Sequence, residues 1–202
     1  MTRLVLASRN KKKLGEMIVL LGDLGFELSD LAAFPSAPDV EETAGSFVGN
    51  ATLKAVTQAR ALAQWTIGED SGLVVPALGG APGVDSAMYA GRHGDDAANN
   101  SKLLAELAPF IGPDRAAYYI STAVLADPAG KVIATAEGRC YGFIASDYRG
   151  NGGFGYDPLF LVPEFGKTFG ELTPEVKQKM SHRAHALRDL RPTLKNLGER
   201  GA

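Results

Sequence analysis

The sequence predicts an α/β protein built on a mixed β-sheet. Three observations carry this. Strand-like and helix-like segments alternate from the N-terminus, two β-rich runs flank a tight-turn signal in the middle, and the C-terminal segment reads as helix. Leu4–Ala7 is a short continuous apolar run, the pattern of a strand buried on both faces. Ser8-Arg9-Asn10 interrupts it, and Lys11–Leu21 follows with Leu14, Met17, Ile18 and Leu21 on one helical face. Gly22 and Gly25 close that helix, and Phe26–Leu28 predicts a second short strand. Residues 35–45, with Pro35, Pro38, Glu41, Glu42 and Gly45, read as a polar loop.

Ser46 is placed to cap a second helix reaching Gln64, with Phe47, Ala51, Leu53, Ala55 and Leu62 as its apolar surface. Trp65–Gly68 reads as a strand delivering Glu69-Asp70-Ser71 to its end. Leu73–Leu78 reads as a separate strand closed by the turn Gly79-Gly80-Ala81-Pro82-Gly83. Asn99–Leu107 predicts a short helix. Ala116–Leu125 and Lys131–Tyr141 flank Asp127-Pro128-Ala129-Gly130, a hairpin signal. Gly150–Pro158 is a loop dense in glycine, and the final helical region, from Pro174 to Leu197, breaks near Ser181. Parallel pairing near the N-terminus together with a central hairpin makes the sheet mixed.

Bulk properties narrow the function. A chain of 202 residues, 45% hydrophobic and 22% charged, is long enough to bury a core as one large domain or two closely joined lobes. A net charge of −2 gives no reason to expect a nucleic-acid polymer as partner, yet leaves room for a small phosphorylated ligand met by a local cationic cluster. Cys140 is the one cysteine, so no internal disulfide forms and a reducing, cytoplasmic setting is expected. The opening residues enter a strand pattern at once, with neither a leader pattern nor a membrane-length apolar run.

Four polar clusters carry the chemistry. Ser8-Arg9-Asn10-Lys11-Lys12-Lys13 lies between a buried strand and a helix start, where backbone N–H groups and cationic side chains suit an anion. It lacks the Walker pattern, and taken alone Ser8 as a helix N-cap beside three solvated lysines is the simpler reading. Gly68-Glu69-Asp70-Ser71-Gly72 sets two carboxylates side by side, suited to Mg²⁺ held with substrate phosphates and to taking a proton from water. A tight turn is the plain alternative. In Gly153-Phe154-Gly155-Tyr156-Asp157-Pro158 the rings can stack on a base or simply plug the core. Lys177 can reach a phosphate, and Ser181-His182-Arg183 offers donors that would accept a 6-keto purine and reject the amino group of adenine. A basic, solvent-exposed helix start is the alternative there. Zinc spacing and Gly-x-Ser-x-Gly are both absent from the sequence.

Taken in order, these clusters resemble the inosine triphosphate pyrophosphatase family. The resemblance rests on Ser8-x-Asn10-x-x-Lys13-x-x-Glu16, Glu41-Glu42-Thr43, Phe47-x-x-Asn50-Ala51-x-x-Lys54-Ala55 and Asp70-Ser71-Gly72-Leu73. It continues through Leu78–Gly83, Gly153–Pro158 and Ser181-His182-Arg183, so it spans nearly the whole chain. It implies an elongated two-lobed fold over residues 1–202, with a long central mixed sheet flanked by helices and a cleft between the lobes. It also implies a homodimer, a Mg²⁺ cofactor, and hydrolysis of ITP, dITP and XTP to monophosphate and pyrophosphate. Carried over by position, Ser8, Arg9, Asn10, Lys11, Lys12 and Lys13 would hold the triphosphate. Asp70 would be general base and, with Glu41, metal ligand, Glu42 being the neighbouring candidate. Ser71, Phe154, Gly155, Tyr156, Asp157, Lys177, His182 and Arg183 would bind the nucleotide, the last two facing the base.

The chain departs from the family pattern at three places. Gly49 stands where a glutamate is common, Glu69 where the first of two aspartates is usual, and Met88 where an arginine is usual. The rival readings are a nucleotide-binding relative with weakened catalysis and a septum-inhibitor-like pyrophosphatase, which would lack the Ser-His-Arg segment.

Overall fold

The computed structural model describes residues 2–200. Its strands are β1 (Arg3–Leu6), β2 (Glu27–Asp30), β3 (Trp65–Val74), β4 (Ala116–Ala126), β5 (Val132–Ile144), β6 (Phe160–Val162) and β7 (Lys167–Thr168). Its helices are α1 (Lys11–Leu21), α2 (Phe47–Leu62), α3 (Asp96–Glu106), α4 (Pro174–Met180) and α5 (His182–Arg200). Among the described residues the strands form one sheet in the order β2-β1-β3-β4-β5-β6-β7. β1 pairs in parallel with β2 and β3, whereas β5–β6 and β6–β7 are antiparallel, so the sheet is mixed as predicted.

The chain divides into two units. The first is Met1–Asp70, Ser121–Gly138 and Arg183–Ala202; the second is Ser71–Ile120 and Arg139–His182. In the first, Leu4, Leu6, Met17, Leu21, Ile67, Leu125, Leu187, Leu190 and Leu194 make the main core. Ala51, Ala55 and Ala59 of α2 form a separate cluster with Val124 and Ala126 of β4. Small alanines at helical spacing let that helix lie close to the sheet. In the second unit Leu73, Val75, Leu103, Tyr119, Tyr156, Phe160 and Phe169 belong to one aromatic-rich core.

Most elements lie where the sequence puts them, and the exceptions have local causes. Asn10, not Ser8, caps α1: its Oδ1 accepts from Lys12 N at 2.9 Å, while Ser8 Oγ accepts from Asn10 N at 3.1 Å. Ile18, expected on the apolar face of α1, is exposed, whereas Met17 and Leu21 are buried. Ser46 does cap α2, its Oγ accepting from Gly49 N. The largest correction concerns β3. Two strands with a polar break were expected, but Trp65–Val74 is one strand, and Glu69-Asp70-Ser71 lies in its interior. Gly68 explains this without a turn. A Cβ there would fall 2.1 Å from Ala51 O and 2.5 Å from Ala55 N, so the missing side chain lets the backbone of α2 approach the strand.

Candidate active site

Along a strand successive side chains point to opposite faces, so Glu69 and Asp70 enter different surroundings. Asp70 faces α2. Its Oδ1 accepts from Lys54 Nζ at 2.9 Å and its Oδ2 from Asn50 Nδ2 at 3.2 Å. Lys54 Nζ also donates to Glu42 Oε2 at 3.0 Å. Asn50, Lys54 and Gln58 are buried on α2 at four-residue intervals, so one helical stripe presents all three. Gln58 Nε2 donates to Pro38 O at 2.6 Å, which ties down the loop leading to Glu42.

The electrostatics of this face are unbalanced. Burial pushes the Asp70 carboxyl up to about 6, and the neighbouring Glu42 adds to the rise against the pull of Lys54. At Glu42 burial also works against the charged form, but the Lys54 ammonium outweighs it and holds the group below its ordinary value. Lys54 is itself raised, its burial overcome by Asp70 and Glu42.

Glu69 has the opposite setting. It accepts from Lys13 Nζ at 2.6 Å, Ser121 Oγ at 2.7 Å, and Arg183 Nε and Nη2 at 3.2 and 3.1 Å. Arg183 Nη1 also pairs with Glu16. Burial opposes the Glu69 charge, yet Arg183, Lys13 and Ser121 together hold its carboxyl well below the usual range. Arg183, expected at the purine, therefore has its guanidinium buried between two carboxylates of its own unit, and Lys13, expected at the phosphates, reaches Glu69.

The remaining residues of the Ser8–Lys13 segment lie closer to water. Lys11 and Lys12 are exposed in the first turn of α1. Arg9 donates to Asp39 Oδ1 at 2.7 Å and to Ala37 O at 3.1 Å. Glu41 is exposed, and it is Glu42, not Glu41, whose carboxylate joins Lys54 and Asp70.

The second unit gathers the aromatic set. Lys177 Nζ lies 4.6 Å from the centre of the Phe154 ring and donates to Asp157 Oδ2 at 2.6 Å. Asp157 Oδ2 also accepts from Phe154 N at 2.8 Å, which requires Gly153 to be bare: a Cβ there would fall 2.0 Å from that oxygen. Gly155 is held from α3, its N–H donating to Asp96 Oδ2 and its carbonyl accepting from Asn100 Nδ2, both at 2.8 Å. Phe154 is half-buried. Tyr156 belongs to the core, with its hydroxyl donating to Ser86 O at 2.8 Å. His182 stacks on Tyr119 with centroids 4.7 Å apart and planes 12° from parallel. Ser71 opens this unit on β3 and is half-buried.

The model of the Ham1 family matches residues 4–193. The chain belongs to the Ham1 family. Ham1 relatives agree over nearly full length. A protein of Rhodopirellula baltica named dITP/XTP pyrophosphatase is 48% identical over 194 residues, 96% of this chain and 93% of that one. One of the same name from Geobacillus kaustophilus is 48% identical over 190 residues, 94% of this chain and 93% of its own. The solved structure of a HAM1 protein from Coxiella burnetii superposes with a TM-score of 0.88 at 39% identity, covering 97% of this chain and all of that one (100%). In this Ham1 chain the sequence marks Asn50 and Lys54 only as motif residues and gives no sign of Ser121, which meets Glu69. The signal for the first two was their helical spacing with Gln58.

Proposed function

We propose that this chain hydrolyses non-canonical purine nucleoside triphosphates (ITP, dITP and XTP) to the monophosphate and pyrophosphate, with Mg²⁺ as cofactor. The observation that carries the reading is Asp70: a buried carboxylate, fixed by Lys54 and Asn50, with its proton affinity raised toward neutral pH. A carboxylate held there is placed to take a proton from water. The attacking water oxygen forms a bond to the α-phosphorus, its proton passes to Asp70, and the bond from that phosphorus to the bridging oxygen breaks, releasing pyrophosphate.

The donor set fits Mg²⁺. That ion usually takes one or two protein carboxylates and fills its shell with water and substrate phosphates. Asp70 and Glu42 share one ammonium, and no larger cluster of acidic, histidine or cysteine ligands occurs among the described residues. Asp70 and Glu42 would hold the ion, and when bound it would neutralise phosphate charge. Lys11 and Lys12 add positive charge at the start of α1, and Phe154, backed by Lys177, offers a ring face to a base. The homodimer and the cytoplasmic setting rest on the family resemblance and the lone cysteine. No helix among the described residues is long and apolar enough to cross a membrane.

The test is an assay of the purified protein with ITP, XTP, GTP and ATP in the presence of Mg²⁺. Pyrophosphate released from ITP or XTP, much faster than from ATP, is the expected result. Binding without turnover would favour a relative that has lost catalysis, and orthophosphate as the sole product would sink attack at the α-phosphorus.

A further inference from the structure

Gly49 lies in the first turn of α2, and the space beside it is filled from the preceding loop. A Cβ on Gly49 would stand 2.5 Å from Ala44 Cβ and 2.8 Å from Ser46 Oγ. Its φ is outside the left-handed region, so the backbone does not demand glycine there, and alanine would suit a helix better. Space alone explains the residue: Ala44 occupies the position that a side chain at 49 would take.

The seated loop is tied to the site. Ala44 N–H donates to Asn50 Oδ1 at 3.0 Å, and the same side-chain amide donates from Nδ2 to Asp70 Oδ2 at 3.2 Å. Glu42, two residues before Ala44, meets Lys54 Nζ at 3.0 Å. On the other side of Glu42, Gln58 holds Pro38 O. Two buried amides of α2 therefore pin the loop on either side of its acidic pair.

We infer that Gly49 is a positioning residue: the gap beside it seats Ala44, and the seated Ala44, locked by Asn50, sets the Glu42 carboxylate against Lys54 and Asp70. The inference rests on the Mg²⁺ reading for its functional consequence and on loop geometry for its structural part. A glutamate delivered by a loop, rather than by the helix, completes the acidic pair.

The experiment compares wild type with Gly49→Ala, Ala44→Leu and the double variant Ala44→Gly/Gly49→Ala. Ala44→Leu crowds the same contact from an exposed loop, where folding is not at stake. Three readouts are taken on metal-free protein: amide hydrogen exchange at residue 44, calorimetric titration with Mg²⁺ alone, and the thermal midpoint. In Gly49→Ala, exchange at residue 44 is expected to quicken roughly tenfold, the loss of one hydrogen bond. The Mg²⁺ dissociation constant should rise about tenfold, the scale of a lost supporting contact, with the thermal midpoint unchanged or higher. Ala44→Leu should behave alike, and the double variant should recover most of both effects. Wild-type exchange and wild-type Mg²⁺ affinity in both single variants would overturn the inference. So would a double variant no better than Gly49→Ala, or faster exchange with Mg²⁺ affinity untouched. Should wild type itself bind no Mg²⁺, the metal reading falls on its own, and exchange at residue 44 still decides whether Gly49 seats the loop.

Discussion

Glu69 and Asp70 are neighbours on one strand, both buried, yet their surroundings drive them in opposite directions. On the Glu69 side, among the described residues, Lys13 and Arg183 face two carboxylates, Glu69 and Glu16, so charge is balanced. On the Asp70 side Lys54 pairs with two carboxylates, Asp70 and Glu42, and Lys13 adds only a weaker pull on Glu42. The Glu69 side holds its carboxylate ionised. The Asp70 side is less fully paired, which leaves room for a proton or an added cation. Both groups are buried, and the cations beside each decide whether burial raises its carboxyl or is overcome.

The comparison breaks most visibly if each carboxylate is neutralised in turn. Asp70→Asn should lower kcat for ITP by at least about 100-fold, the scale of a lost general base, while circular dichroism and the unfolding transition stay near wild type. Near-normal turnover would remove Asp70 from the base role. Glu69→Gln should act on stability instead. It leaves Arg183 and Lys13 facing an uncharged amide in a buried site, and denaturant unfolding should report a loss of about 3–5 kcal/mol. An unchanged midpoint would show that the Glu69 network contributes little. A smaller effect is expected in the second unit. Phe154→Leu should raise KM for ITP about tenfold with kcat changed less, because base stacking on a ring is worth about 1–3 kcal/mol. Equal KM values would place the base elsewhere.

Much of this arrangement was legible in the sequence. The Lys11–Leu21 helix, the Ser46 cap, the turn at Asp127–Gly130 and the break at Ser181 all follow from periodicity and turn chemistry, which act over a few residues. The motif order pointed to the Ham1 relatives. Less legible were features whose cause lies far away in the chain. Gly68 and Gly72 suggested a turn, but Gly68 is bare because the backbone of α2 passes over it. Asn50, Lys54 and Gln58 are polar, and polar residues on a helix normally mark the solvent face. The buried Asp70 carboxylate shows why Asn50 and Lys54 point inward, and the Pro38 carbonyl why Gln58 does. Arg183 pairs with Glu69 and Glu16, 114 and 167 residues away, partners that no local pattern names. Of the paired Glu41 and Glu42, no local pattern selects the second. Lys54, on the helix beyond, does so by pairing with Glu42.

The central claim is that the less fully paired Asp70 face leaves room for a proton or a cation, and the titration of that carboxyl tests it most directly. Between the ordinary value of 3.8 and about 6, the folded protein keeps a proton that the unfolded chain has released. Asp70 thus works against the fold as pH rises through that window. Carboxyl-resolved NMR of the metal-free protein should place the Asp70 midpoint near 6, and Mg²⁺ should move it downward, because a bound cation favours the carboxylate. A midpoint near 3.8 that Mg²⁺ leaves unmoved would contradict the account.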